Sequence, residues 1–165
     1  MFDFDKFYAG LLARTNYFDN YWEQFPSGKF LFKDKTLRLL KLNAEEKDAH
    51  GLANTLAVIC RDGADSDYTA ILLSLLDENW QRSEEDIVSV LEMVRDPNSV
   101  EKLYEVALNV PDYDDMRALA KKSMWALSAI GTPEAIQKLR RLACSTDPII
   151  RENAIFQLEQ VVKSS

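Results

Sequence analysis

The sequence is poor in residues that break helices and in residues that do chemistry. Glycine and proline occur five times each in 165 residues, and runs that alternate apolar with polar positions are few. That excludes a fold built from many short strands and tight hairpins. The one histidine, His50, stands at the start of a helix-like pattern, where a surface or capping role suits it better than general-base work. Cys60 and Cys144 lie 84 positions apart inside apolar helical patterns and read as buried small hydrophobes, not as a disulfide or a metal pair. Glycine-rich phosphate loops and nucleophile motifs are missing. No apolar run reaches the length of about 18 residues that a membrane-spanning helix needs. The segment Met1-Phe2-Asp3-Phe4-Asp5 carries acids where a secretory leader carries bases. A cytoplasmic protein without metal or cofactor is the expectation. Bases are also in deficit, 20 against 27 acids for a net charge of −7, which disfavours nucleic acid as a partner.

What is present is helical spacing. Apolar residues recur every three and four positions, and Asp62-Gly63, Asp96-Pro97, Pro111-Asp112, Gly131-Thr132-Pro133 and Asp147-Pro148 punctuate helices of about 10 to 18 residues. Self-comparison reveals a repeat. A shift of 36 lays Pro97 on Pro133, Val100 on Ile136, Lys102 on Lys138, Leu103 on Leu139, Val106 on Leu142 and Ala107 on Ala143. The second helix matches at a shift of 31, with Ser123 on Ala154, Leu127 on Leu158 and Ile130 on Val161, which assigns five extra loop residues, 111–115, to the earlier unit. Each unit is then a two-helix hairpin whose apolar stripe is covered by the next hairpin in a stack. Pro97 and Pro133 suit the first turn of a helix, where an N–H has no partner to lose.

The segment Ala126-Leu127-Ser128-Ala129-Ile130-Gly131-Thr132-Pro133-Glu134-Ala135, followed by Asp147-Pro148-Ile149-Ile150-Arg151-Glu152-Asn153-Ala154, resembles the HEAT-like repeat of the phycobilisome-lyase type. The likeness extends over residues 88–163. It departs from the pattern at Gln157, where the repeat has Ala, and at the Asp-rich insertion. The resemblance implies an all-α protein, an α-solenoid of about four HEAT-like hairpins in one domain, 1–165, with 1–45 as a cap and 46–165 as repeats. The cap reading rests on composition: Phe2, Phe4, Phe7, Tyr8, Tyr17, Phe18, Tyr21, Trp22, Phe25, Phe30 and Phe32 supply 11 of the 17 aromatics. An exposed aromatic binding face is the alternative for that segment.

Charge is segregated along the chain. Residues 62–86 hold eight acids and one base, 87–115 seven acids and two bases, while 26–42 and 116–165 are each +4. The acidic middle contains Asp77, Glu78, Trp80, Glu84 and Glu85 in one loop region and Asp112, Tyr113, Asp114 and Asp115 in the next. In a stack of hairpins, equivalent loops line one edge, so these nine residues form the candidate partner-binding surface. Two readings of the strip stay open: a solvated face of helix-capping acids, and a binding surface in which Trp80 and Tyr113 act as aromatic anchors among charge. Adjacent carboxylates such as Glu84-Glu85 and Asp114-Asp115 point in different directions on a helix, which argues against paired acid–base work and against an enzyme.

Small acidic HEAT-like proteins look like immunity proteins of bacterial toxin systems, including those of contact-dependent growth inhibition. That likeness implies a basic, nuclease-type toxin domain as partner, met by a monomer with its basic C-terminal helices turned away. A general HEAT-repeat adaptor or scaffold is the alternative within the binding class. A DNA-glycosylase-like or chromophore-lyase-like protein is the alternative among enzymes, and the former needs a basic groove that the composition does not favour.

Overall fold

Prolines, Asp caps and left-handed residues cut the chain where the sequence places its punctuation. The computed structural model describes residues 3, 5–6, 27–111 and 113–164, and among them every regular element is helical. The cap aromatics Phe2, Phe4, Phe7, Tyr8, Tyr17, Phe18, Tyr21, Trp22 and Phe25 lie outside the described residues, as does Asp112. Helix α1 (Lys33–Glu46) ends at Lys47, whose φ of 54° turns the chain. Asp48 then caps α2 (Ala49–Asp62) by accepting from the Gly51 N–H at 2.9 Å. A short 3₁₀ turn, Ser66–Tyr68, leads into α3 (Thr69–Leu75). Helix α4 (Glu84–Val94) ends at Arg95 in the left-handed region, and Asp96 caps the turn Pro97–Ser99 that opens α5 (Val100–Leu108). Helix α6 (Ala118–Ile130) stops at Gly131, Thr132 caps α7 (Pro133–Leu142), and α8 (Pro148–Ser164) closes the series.

The helices pair as α1 with α2, α3 with α4, α5 with α6 and α7 with α8, giving four hairpins. Helices α2, α4, α6 and α8 stack in order as one layer. The other layer runs through α1 on α3 and α5 on α7, and the 3₁₀ turn Pro97–Ser99 touches α3 between those pairs. This is an α-solenoid. Its seam is filled by Leu52, Leu56, Ile59, Leu72, Leu75, Ile87, Leu91, Leu103, Leu127 and Leu139, while Ala107, Ala120, Ala126 and Ala154 let the helices approach. Pro97 and Pro133 both occupy the first turn of their elements, as the spacing predicts.

Three details differ from the sequence reading. Helices α3 and α5 are only seven and nine residues long, because a 3₁₀ turn takes the three positions before each. Cys144 is exposed, its thiol donating to the Arg140 carbonyl, whereas Cys60 packs half-buried against the core. The first hairpin also carries a polar clamp. The buried Asp62 carboxylate accepts from the Leu31 and Phe32 N–H groups at 2.7 and 2.9 Å, which pins the entry to α1 against the end of α2. Among the described residues no helix is long and apolar enough to cross a membrane.

Candidate functional site

The loops that feed the α2, α4, α6 and α8 layer share one edge of the solenoid, and two of them, 76–83 and 109–117, are longer than the rest. Each is shaped by a polar anchor. In the first, Gln81 is fully buried; its Nε2 donates to the Leu75 carbonyl at 3.1 Å and its Oε1 accepts from the Ser83 N–H. Ser83 therefore sits at the start of α4 without capping it by its side chain, and the acids Glu84, Glu85 and Asp86 complement the helix N-terminus instead. In the second loop, Asp114 takes the Ala118 and Leu119 N–H groups on its two carboxylate oxygens at 2.8 and 3.1 Å. Arg117, at φ 55°, donates from a guanidinium nitrogen to the Asp114 carbonyl at 2.6 Å and from Nε to Asp147 at 2.7 Å. That ion pair holds Asp147 below the usual carboxylate range and raises Arg117, and it ties the α5–α6 loop to the cap of α8.

Between the loops lies an open cleft of about 710 Å³ lined by Arg82, Ser83, Glu84, Glu85, Asp86, Pro111, Tyr113, Asp114 and Leu119. Four of the candidate residues, Glu84, Glu85, Tyr113 and Asp114, are thus brought together from positions about 30 residues apart in sequence. Tyr113 is 70% exposed. A second cavity of about 330 Å³ adjoins the first through Glu84, Pro111 and Leu119 and adds Asp77, Lys102, Glu105 and Asn109. Glu78 is exposed on the same loop, and Asp115 lines a separate cavity of about 340 Å³ with Arg117 and Asp147.

Some placements depart from the sequence reading. Trp80 is half-buried against the core, its Nε1 enclosed without a hydrogen-bond partner, and it does not line the cleft. The physical reason is the ring's apolar area, which gains more from packing on the core than from standing in water. The basic side chains of the C-terminal half do not all turn away, since Lys122 on α6 meets Glu85 at 3.1 Å and Arg117 stands in the insertion loop itself. Asp77 is paired with Lys102, an interaction that raises the lysine's pKa. The residues that sequence reasoning missed are Arg82 and Asp86 in the lining, Gln81 behind it and Lys122 at Glu85. Asp86 was legible as one more acid of a first helical turn; the cross-helix partner of Glu85 was not.

Chemically the cleft offers four carboxylates, one guanidinium, a phenol and the apolar surfaces of Pro111 and Leu119. Such a mixture suits cationic and amphipathic groups. Among the described residues, no group of three or more His, Cys, Asp and Glu side chains is placed to hold a metal ion.

The architecture and this edge define a helical repeat protein of stacked hairpins. Residues 119–143 match the model of the PBS lyase HEAT-like repeat, a span that runs from the first turn of α6 to the end of α7. Comparison with curated proteins and with solved structures gives no match.

Proposed function

We propose that the protein is a non-enzymatic binding module whose acidic edge receives a basic partner protein. The observation that carries this reading is the convergence of Glu84, Glu85, Asp86 and Asp114 with the exposed Tyr113 in one cleft. A concave acidic surface focuses field lines and speeds encounter with a cationic partner, while a rigid aromatic supplies contact area at low entropic cost. The ion pairs to Lys102 and Lys122 and the guanidinium of Arg82 temper that field without cancelling it, because among the described residues Glu84, Asp86 and Asp114 form no ion pair with a lysine. The finer reading is an immunity protein that occupies the nucleic-acid site of a nuclease-type toxin domain, its carboxylates standing where phosphates would bind. Neutralisation then needs no chemistry, metal or cofactor from this chain.

The test is co-expression with basic, nuclease-type toxin domains in cells whose growth those domains arrest. Wild type restores growth, whereas Glu84→Lys with Glu85→Lys, folded by circular dichroism, does not. The toxin's association rate on the wild type falls steeply with added salt. Full protection by the charge-reversed variant overturns the proposal.

A further inference from the structure

Two acids of the cavity that adjoins the cleft already hold a cation, and it is the protein's own. Lys102 on α5 donates from Nζ to Asp77 Oδ1, in the loop that follows α3, and the same Nζ lies 3.4 Å from Glu105 Oε2. Both carboxylates are more than half exposed, so water and an incoming group reach them. They line the cavity of about 330 Å³ that shares Glu84 with the main cleft. Three carboxylates, Asp77, Glu84 and Glu105, stand there against one ammonium. The last turn of α5 forms a wall of this cavity, and a helix C-terminus adds partial negative charge.

The repeat supplies an internal comparison. The shift of 36 that lays α5 on α7 puts Lys138 at the position of Lys102. Lys138 is sealed into the stack: it is buried, with Nζ 2.5 Å from Glu101 and 4.6 Å from the centre of the Tyr104 ring. Lys102 reaches back to the preceding unit in the same way but borders open space. One repeat position is thus a buried tie in α7 and an accessible one in α5.

We propose that Lys102 is a built-in competitor for an arginine of the partner: the incoming guanidinium takes Asp77 and Glu105, and the lysine swings out on its flexible stem. This rests on the reading of the cleft as the surface that receives a basic protein. Arginine suits the exchange better than lysine, because its planar fork donates to two carboxylates at once and gives up its water more readily. The cavity has roughly the volume of ten waters, room for that head group. An exposed ion pair contributes little, so the exchange is nearly balanced and a guanidinium tips it. A partner without an arginine at this point meets carboxylates already neutralised, which makes Lys102 a specificity residue.

Calorimetric titration of the full chain with an arginine-rich peptide at about 0.1 M salt reads the outcome, with circular dichroism to check that each variant is folded. Lys102→Met binds about fivefold more tightly than wild type, the upper end of what an exposed ion pair is worth. Lys163→Met removes the same charge from the last turn of α8, roughly 24 Å along the helix from Asp147, and changes affinity less than twofold. Asp77→Asn alone also has less than a twofold effect, because its carboxylate is engaged, but added to Lys102→Met it removes most of the gain. Lys102→Arg, which holds both carboxylates itself, binds no more tightly than wild type. A wild-type chain that binds, with Lys102→Met no tighter than Lys163→Met, overturns the proposal and leaves the acidic cleft standing as the binding surface. A gain that survives Asp77→Asn in full overturns it as well. Absence of binding by every chain overturns the reading of the cleft and this inference with it.

Discussion

Asp114 belongs both to the candidate cleft and to the framework that builds it, and the two roles separate by mutation. Its carboxylate accepts one N–H from Ala118 and another from Leu119, two of the groups that the first turn of α6 leaves without helical partners. Each such bond contributes about 1 kcal/mol net, and the half-exposed site lets water replace part of it, so Asp114→Ala costs about 1–2 kcal/mol. For a chain of this size that is a fall in Tm of about 2–8 °C. Asp114→Asn retains one acceptor oxygen and loses about half as much. Thermal melts by circular dichroism, with amide exchange at Ala118 and Leu119, read both effects. Because its oxygens are already engaged, Asp114→Asn also weakens binding of a cationic partner less than Glu84→Gln does. An Asp114→Ala protein that melts within a degree of wild type, with both amides still protected, refutes the capping geometry and the loop shape drawn from it.

Other expectations concern the scaffold. Arg95 ends α4 at φ 56°, a conformation that costs a side-chain-bearing residue on the order of 1 kcal/mol, so Arg95→Gly raises stability by about 0.5–1 kcal/mol in a denaturant titration. Asp62→Ala strands the Leu31 and Phe32 N–H groups, and hydrogen exchange there accelerates far more than in α4 or α6. The pH profile follows from shifted groups. Arg117 holds Asp147 low and the Asn98 N–H holds Asp96 low; a carboxylate depressed on folding stabilises above its unfolded pKa of about 4 and loses that stability as pH falls through the folded value. Lys102, raised by Asp77, stabilises below about pH 10 and loses its share as pH rises through its folded value. Tm is therefore flat between about pH 5 and 9, and a decline that begins between pH 7 and 5 contradicts these assignments.

The solenoid was legible in the sequence because its punctuation is local. Pro97, Gly131 and Pro133 mark element ends through their own backbone constraints, and the shift of 36 places α5 on α7 from residue identities alone. The shortness of α3 and α5 was hidden, since whether three residues form a 3₁₀ turn or the first turn of an α-helix depends on how Tyr68 and Ser99 are buried. At the site, the convergence of two loops followed from repeat geometry, and Glu84, Glu85, Tyr113 and Asp114 meet as stacking requires. The half-burial of Trp80 is not legible, because charge around an aromatic does not register which ring packs against the core. The approach of Lys122 to Glu85 depends on the packing of α4 on α6, which charge counted along the chain does not register.

The central claim is that the cleft between loops 76–83 and 109–117 is the partner-binding surface. Amide NMR of the full chain, titrated with an arginine-rich peptide at low salt, tests it most directly. The claim requires saturable shifts concentrated at residues 82–86, 113–114 and 119, reduced by Glu84→Gln with Glu85→Gln and weakened by salt. Shifts that spread evenly over all exposed acids, or that gather on another face and survive those substitutions, contradict it.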